Sequence, residues 1–208
     1  MSTTGEILYN VKKVILTPLD KLTGLPATDM EKINIKCDSE IEIDPEISQG
    51  QEKQLRDDER ILATAGTPDL LYGYKLKLKN TTLELAVAAL IEGGIIRYDK
   101  DDSAKIIGYD TPMLSEGSKI KPFMAEIYAE NYEGEDVKNY AKITLNKCTG
   151  KAFKMSLKKD YYAPEFEIKC RENTKAKLPI KSIEFVSSLP QDAEESKKES
   201  IITDNQQP

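Results

Sequence analysis

The chain has 208 residues, and its 30 basic and 36 acidic side chains give a formal net charge of −6 at pH 7. A mildly acidic chain is a poor candidate for a dedicated nucleic-acid binder, which needs a basic surface to gain from counterion release. The absence of histidine removes the commonest general base and metal ligand, and every Ser-His or Cys-His nucleophile pair. We therefore expect one domain with a real core, and not an enzyme.

The three cysteines of the chain, Cys37, Cys148 and Cys170, lack the C-x-x-C spacing of a zinc site. Cys37 and Cys170 continue apolar alternations, which is typical of small core residues. The odd number of cysteines and the lack of an apolar segment near the N-terminus favour synthesis in a reducing, cytoplasmic compartment. No run approaches membrane-spanning length, so we expect no metal, no cofactor and no membrane segment.

The first quarter of the chain predicts two strands followed by a polar segment. The first strand covers Tyr9 to Leu16, and the second runs from Lys32 to Ile43, with isoleucines on one face and acidic residues on the other, until Pro45 ends it. Residues Glu46 to Glu59 are charged, with too few apolar positions to form a core of their own. They form either a solvated hairpin tip, which composition favours, or a loop that projects to meet a partner.

The segment after this polar stretch contains the one convincing helix. Apolar residues alternate with lysines from Tyr74 to Leu78, which predicts a half-buried strand. Thr81 and Glu84 have the spacing of a capping box, and a helix near Thr82–Glu92 follows. Its apolar stripe comprises Leu83, Ala86, Val87, Leu90 and Ile91. Gly93 and Gly94 allow the left-handed turn that ends a helix.

The remainder of the chain alternates like a series of strands. Strands near Ile95–Tyr98 and Ile106–Tyr109 flank an aspartate-rich turn that lacks the EF-hand spacing, so a hairpin is expected rather than a calcium site. Phe123, Ala125, Ile127 and Ala129 alternate with Met124, Glu126, Tyr128 and Glu130. We expect water to wet the polar second face of such alternating strands. Further strands are predicted at Tyr140–Asn146, Ala152–Leu157, Phe166–Cys170 and Ile180–Val186.

Strands at intervals of about 8–12 residues with short turns predict a sandwich or barrel. The expected fold class is therefore mainly β: a β-sandwich or barrel-like domain over residues 1–188 with one flanking α-helix. Residues 189–208 are polar and acidic without periodicity, which predicts a disordered C-terminal extension.

No sequence motif identifies an active site. The chain contains no phosphate-binding loop, dinucleotide-binding fingerprint, nucleophile elbow or zinc-protease motif. Tyr161 and Tyr162 precede Pro164 and could form a ligand-stacking platform, but packing over a sheet edge is favoured. We name no catalytic residue.

Three segments, taken in order, resemble the major tail tube proteins of tailed bacteriophages of Gram-positive hosts. The first, residues 44–94, is DPEISQGQEKQLRDDERILATAGTPDLLYGYKLKLKNTTLELAVAALIEGG. Residues 121–153 and 161–173 follow, with their P-F and A-P-E-F strands. The resemblance lies in the order of an acidic strand, a polar loop, an aromatic strand, an N-T-T-L-E-L helix that ends in Gly-Gly, and these later strands. It covers well over half of the chain.

This resemblance implies a structural virion protein, related to the tube proteins of contractile injection systems. Copies would form hexameric rings that stack into a tube, and DNA would pass through the lumen without specific binding. The implied partners are further copies of the chain and the tape measure, tail terminator and baseplate proteins. The protein would be assembled in the host cytoplasm and located in the phage tail. The polar extension after Pro190 departs from the plainest family pattern.

The resemblance also implies that the loop from Glu46 to Glu59 reaches an adjacent ring. The inter-ring contact residues expected from it are Glu46, Gln49, Gln51, Glu52, Lys53, Arg56, Asp57, Asp58 and Glu59. An acidic or neutral lumen would repel phosphate and let DNA slide.

Two alternatives remain open at this point. One is a ligand-binding β-sandwich that recognises carbohydrate or a receptor, although such modules often use tryptophan, which this chain lacks. The other is a tube protein of a contractile phage, bacteriocin or secretion machine, which the sequence does not separate from that of a flexible tail.

Overall fold

The computed structural model describes residues 5–28, 30–35, 40–80, 82–102, 105–113, 115, 120–153, 155 and 164–190. Thr81, Cys37, the pair Tyr161 and Tyr162, and the predicted extension beyond Pro190 lie outside these residues. The predictions that concern them therefore stay predictions.

Strands dominate the described part of the chain, and they accompany one helix, as the alternating pattern predicted. The elements are β1 (Ile7–Pro18), β2 (Ile33–Ile35), β3 (Ile41–Ser48), β4 (Glu52–Arg56), β5 (Ile61–Gly66), β6 (Leu70–Lys79), α1 (Leu85–Glu92), β7 (Ile95–Tyr98), β8 (Ile106–Asp110), β9 (Phe123–Glu133), β10 (Asp136–Gly150), β11 (Glu165–Cys170) and β12 (Lys181–Val186). The prediction of a mainly β fold with one flanking helix is confirmed.

The main sheet has eight antiparallel strands in the order β2-β1-β9-β10-β11-β6-β3, with β12 also paired to β10. The long strand β10 pairs with β12 from Tyr140 to Leu145, and with β11 only from Cys148 to Gly150. This strand therefore joins two parts of the sheet. We call β2, β1, β9 and β12 the first part, and β11, β6 and β3 the second part.

The hydrophobic core takes side chains from both parts of the sheet and from the helix. Its buried members are Val14, Leu16, Ile35, Leu76, Leu78, Val87, Ile91, Phe123, Ala125, Ile127, Leu145, Cys148, Phe166, Ile168 and Cys170. Because removing apolar surface from water is the main driving force of folding, this shared core holds the two parts together.

The helix packs on this core through the predicted stripe. Val87 and Ile91 are fully buried, and Leu90 is partly buried against the core. Gly93 ends the helix in the left-handed conformation, with φ of 77° and its amide donating to the Ala89 carbonyl at 2.8 Å. The helix begins later than the predicted Thr82, at Leu85, with Glu84 in the N-cap position. The capping box itself stays a prediction, because Thr81 lies outside the described residues.

The single strand predicted from Lys32 to Ile43 is in fact two strands at opposite edges of the sheet. Strand β2 pairs with β1, whereas β3 pairs with β6. Pro45 does not end β3, which continues to Ser48. An edge strand tolerates proline, because the missing amide hydrogen can lie on the unpaired side.

Candidate assembly interface

The charged segment from Glu46 to Glu59, predicted as either a solvated hairpin tip or a projecting loop, supplies the first strand and most of the turn of a β-hairpin. Strands β4 and β5 pair with each other, from Glu52 with Gly66 to Arg56 with Ile61, and form a separate two-stranded sheet. At the turn the Asp57 amide donates to the Arg60 carbonyl at 2.9 Å. Every residue of β4 and β5 is exposed. We call residues 49–69 the hairpin arm.

Specific hydrogen bonds close the root of the hairpin arm. The Gly50 amide donates to Asp69 Oδ1 at 2.7 Å, and the Gln51 amide donates to Thr67 Oγ1 at 3.1 Å. A Cβ atom added at Gly50 would lie 1.7 Å from the Thr67 carbonyl oxygen, so only glycine permits this close approach of the two strands. The root is therefore a defined junction with the ends of β3 and β6.

Next to this root, the Arg171 side chain connects neighbouring strands of the main sheet. Its Nη1 atom donates to the Glu46 carboxylate on β3 and, at 2.9 Å, to the Cys170 carbonyl. Its guanidinium carbon lies 4.8 Å from the centroid of the Tyr72 ring on β6, within the range of a cation–π contact. Gly73 leaves room for this side chain, since a Cβ atom there would lie 2.0 Å from Arg171 Nη1. Arg171 thus connects all three strands of the second part.

The hairpin arm presents apolar side chains to water. Leu55, Ile61 and Leu62 are 62%, 52% and 53% exposed. Leu55 pairs directly with Ala63, and Lys53 with Ala65, so these four residues lie on one face of the arm. A two-stranded hairpin without a packed face is marginally stable in water, so this arm lacks the burial that would stabilise it alone.

The apolar surface continues past the root onto the main sheet. Ile47 on β3 pairs with Leu71 on β6, and both are about half exposed, as is the neighbouring Tyr72, while Leu70 is 64% exposed. Clustered exposed apolar residues mark interaction sites more often than isolated ones do. The arm and its root therefore form one candidate contact surface.

The structure brings together eight of the nine predicted contact residues. Gln49 and Gln51 lie at the root, Glu52, Lys53 and Arg56 lie on β4, and Asp57, Asp58 and Glu59 form the turn. Glu46 does not belong to the arm, because it lies within β3 and pairs with Arg171.

Sequence reasoning missed the returning strand and the apolar residues of the arm. Leu55 lies inside the predicted polar loop, and the run I-L-A-T-A-G follows its charged turn directly. A charged turn between two such segments is a hairpin pattern that could have extended the prediction to Gly66.

A second exposed apolar surface lies on β12, which pairs with β10 alone in the described part of the chain. Ile183 and Phe185 are opposite Ile143 and Ala141 of β10 and share their face, which points toward the core. Ile183 and Phe185 are nevertheless about half exposed. The core-facing side of the sheet is therefore only partly covered where β12 forms its edge.

The polar side chains on the outer face of β9 are buried rather than exposed to water, contrary to the sequence prediction. Glu126 and Glu130 are buried beneath lysines, with Lys142 Nζ 2.9 Å from Glu126 Oε1 and Lys12 Nζ 3.1 Å from Glu130 Oε1. Burial lowers the pKa of Lys142, but its hydrogen bonds to Glu126 and Glu184 outweigh burial and raise that pKa above its usual value. Long lysine side chains can cover neighbouring groups in this way.

A cavity of about 280 Å³ lies near Leu19, Lys147 and Lys175. The buried Asn173 in its wall is already used by the fold, since its Nδ2 donates to the Gly24 carbonyl at 2.7 Å. Among the described residues, no three histidine, cysteine, aspartate or glutamate side chains cluster closely enough to bind a metal ion. In the same part of the chain, no helix has the length and apolar character needed to cross a membrane.

The chain matches no protein-family model and no curated protein. The described residues form a mainly antiparallel β fold with one helix, and the most prominent unpacked feature of this fold is the hairpin arm.

Proposed function

We propose that this chain is the major tail tube protein of a tailed bacteriophage, a structural subunit that assembles as stacked hexameric rings into the tube that conducts DNA into the host. The observation that supports this proposal most strongly is the hairpin arm, which is fixed at its root and exposed along both strands. An element of this kind suits docking on another molecule.

The exposed apolar residues of the arm explain why a partner is needed. Burying apolar surface stabilises a protein by roughly 25 cal/mol per Å². In the free chain more than half of the surface of Leu55, Ile61 and Leu62 stays exposed, so most of this stabilisation is missing. The arm also contains the acidic residue Glu52 on β4, three acidic residues at its turn, and the basic residues Lys53, Arg56 and Arg60. A partner that covers it must offer complementary charges, since unpaired buried charge is heavily penalised.

A second copy of the chain is the partner that fits an assembling subunit. The arm and the apolar row on β12 are different surfaces of one molecule. When different surfaces of identical copies meet, the contact is heterologous, and it generates rings if the rotation closes and filaments if it does not. A tube of stacked rings needs both kinds of contact: one that closes within each ring, and one that repeats from ring to ring without closing.

The proposed role requires neither catalysis nor a cofactor. The chain lacks histidine, the residue best suited to acid–base work at neutral pH. Its net charge of −6 suits a wall along which DNA slides without specific binding. The proposed partners are other copies of the chain, the tape measure, the tail terminator and the baseplate proteins. The proposed location is the virion, after assembly in the host cytoplasm.

The cavity near Lys175 favours a second candidate, a β-sandwich module that binds carbohydrate or a receptor. Pockets of roughly 300 Å³ and above can accept small ligands, and this one falls just below that size. Such a module would act as a discrete monomer, which separates it from a tube subunit.

Electron microscopy of the purified full chain over a concentration series tests the proposal. We expect six-fold rings and tubes whose length grows with concentration, because head-to-tail stacking does not close on itself. Discrete monomers at every concentration, together with saturable binding of a sugar or receptor fragment, would favour the ligand-binding module instead.

A further inference from the structure

Two cysteines face each other inside the core. Cys148 on β10 and Cys170 on β11 are directly opposite in the antiparallel ladder, and both are fully buried. Their Sγ atoms are 3.4 Å apart, and Cys148 Sγ lies 3.6 Å from the Leu145 carbonyl oxygen. The sequence pattern assigned Cys170 to the core but did not predict that it would meet Cys148.

The backbone hydrogen bonds place this pair at a favourable position for cross-linking. The Arg171 amide donates to the Lys147 carbonyl at 2.9 Å, and the Lys151 amide donates to the Glu167 carbonyl at 3.1 Å. These bonds flank a non-hydrogen-bonded pair at Cys148 and Cys170, where Cα atoms lie about 4.5 Å apart and side chains are closest. That spacing is within the range of about 4.4–6.8 Å found across disulfides.

Little movement would join the two sulfurs. A disulfide bond is about 2.05 Å long, whereas the sulfurs are 3.4 Å apart. Rotation of the two side chains can close this gap without a shift of the strands, because the register already places the cysteines opposite each other.

We propose that Cys148 and Cys170 form an oxidisable dithiol that closes to an intramolecular disulfide when a small peroxide enters the core. One thiolate attacks a peroxide oxygen, the O–O bond breaks, hydroxide leaves, and a sulfenic acid forms on that sulfur. The second cysteine sulfur then attacks the sulfenic sulfur, the S–O bond breaks, and the oxygen leaves as water with the released proton. Two thiols are oxidised, and one hydrogen peroxide is reduced to two water molecules.

The surroundings predict a slow reaction. Burial raises the pKa of the Cys148 thiol, and the neighbouring Cys170 adds to this effect. Because the thiolate is the reactive form, the folded protein should react more slowly than an exposed thiol, and its rate should increase with pH.

The cross-link would act at the junction between the two parts of the sheet. In the described residues, β10 and β11 pair at three positions, Cys148 with Cys170, Thr149 with Lys169 and Gly150 with Ile168. This ladder links the strands β6 and β3, and with them the hairpin arm, to the rest of the sheet. A disulfide there would restrain that attachment whether or not the protein forms tubes.

The test uses the reduced, full-length Cys37→Ser variant, which retains the pair and removes the third cysteine. After treatment with hydrogen peroxide we expect the loss of two hydrogen atoms in the intact mass, a peptide that links Cys148 to Cys170, and loss of both free thiols together. Closing the loop should raise the thermal midpoint by roughly 5–10 °C, and dithiothreitol should reverse this shift.

Cys37→Ser/Cys148→Ala and Cys37→Ser/Cys170→Ala are the matched controls. Each should show neither the linked peptide nor the reversible rise in melting temperature. The proposal is wrong if peroxide converts both cysteines to sulfinic acids, if it links separate chains, or if the folded protein leaves both thiols intact under conditions that oxidise them in urea. If a control variant does not fold, the peptide map and thermal shift of Cys37→Ser still decide the question.

Discussion

Strand β6 has two environments, and the difference between its two ends explains much of the molecule. At its C-terminal end, where β6 pairs with β3 and β11, Leu76 and Leu78 are buried members of the hydrophobic core. At its N-terminal end, beside the hairpin arm, Leu70 is 64% exposed. The residue type is the same at both ends. Burial therefore depends on what covers the strand, and the exposed end lacks a cover that a partner could supply.

The largest expected effect comes from the buried end of this strand. Leu76→Ala should lower the free energy of unfolding by about 2–5 kcal/mol, because it leaves a cavity in the core. Leu70→Ala should change it by no more than about 0.5 kcal/mol in the free chain, as is usual for exposed positions. Urea denaturation of both variants measures the contrast. Equal destabilisation would mean that the two ends are packed alike.

A smaller effect is expected at Arg171, which lies between the two environments. Arg171→Ala should cost roughly 1–3 kcal/mol, since it removes charge-assisted hydrogen bonds and a cation–π contact from partly exposed groups. A double-mutant cycle with Glu46→Gln measured by urea denaturation should give a coupling energy clearly above zero. Additive effects would show that the Arg171–Glu46 contact contributes nothing to stability.

Gly50→Ala should act on the hairpin arm alone. The new Cβ atom would overlap the Thr67 carbonyl, so the root hydrogen bonds should open while the core remains intact. We expect faster amide exchange at Gln51 and Thr67 and unchanged protection at Leu76. Unchanged exchange at Gln51 would indicate that the root adjusts without loss of its bonds.

The smallest expected effect is a pH dependence at Glu167 on β11, whose carboxylate lies 2.8 Å from Lys151 Nζ and 3.1 Å from Lys75 Nζ. Hydrogen bonds from Lys151 and then Lys75 lower the pKa of Glu167 below its ordinary value of 4.5. This stabilisation is present above the unfolded-state pKa and is lost as the pH falls through the folded-state pKa.

Glu167→Gln should therefore reduce stability slightly near neutral pH, and the difference from the unaltered chain should vanish under acidic conditions. Solvent screening keeps the effect small, because both lysines and the carboxylate are partly exposed. Thermal midpoints measured between pH 2 and pH 7 test this expectation. A stability difference between the two proteins that grows as the pH falls would show the opposite pH dependence and contradict this expectation.

The local sequence pattern was sufficient to predict elements whose conformation depends on residues close to one another in the sequence. The alternation from Tyr74 to Leu78 predicted the buried end of β6, and Gly93 ends α1 as expected. The aspartate-rich turn joins β7 to β8, where the Asp99 amide donates to the Lys105 carbonyl at 2.8 Å. These features need only the side-chain period and turn chemistry.

Features that depend on distant pairing could not be predicted in this way. The alternation continues from Ile33 to Ile43, yet the chain changes edges of the sheet between them. Glu126 alternates like a solvated residue, but Lys142 from the neighbouring strand covers it. The meeting of Cys148 with Cys170 likewise depends on the register between β10 and β11. Local sequence specifies none of these registers.

The most direct test of the central claim compares two charge-matched variants of the hairpin arm by sedimentation velocity and electron microscopy. Leu55→Asp places a charge on the face shared with Ala63, and the control Gln54→Asp places the same charge at the adjacent exposed position, which pairs with Thr64. Both should fold like the unaltered chain by circular dichroism. At concentrations where the unaltered chain forms rings or tubes, we expect Leu55→Asp to abolish stacking and Gln54→Asp to retain it. Normal tubes from Leu55→Asp would contradict the claim that the apolar face of the arm docks on another copy.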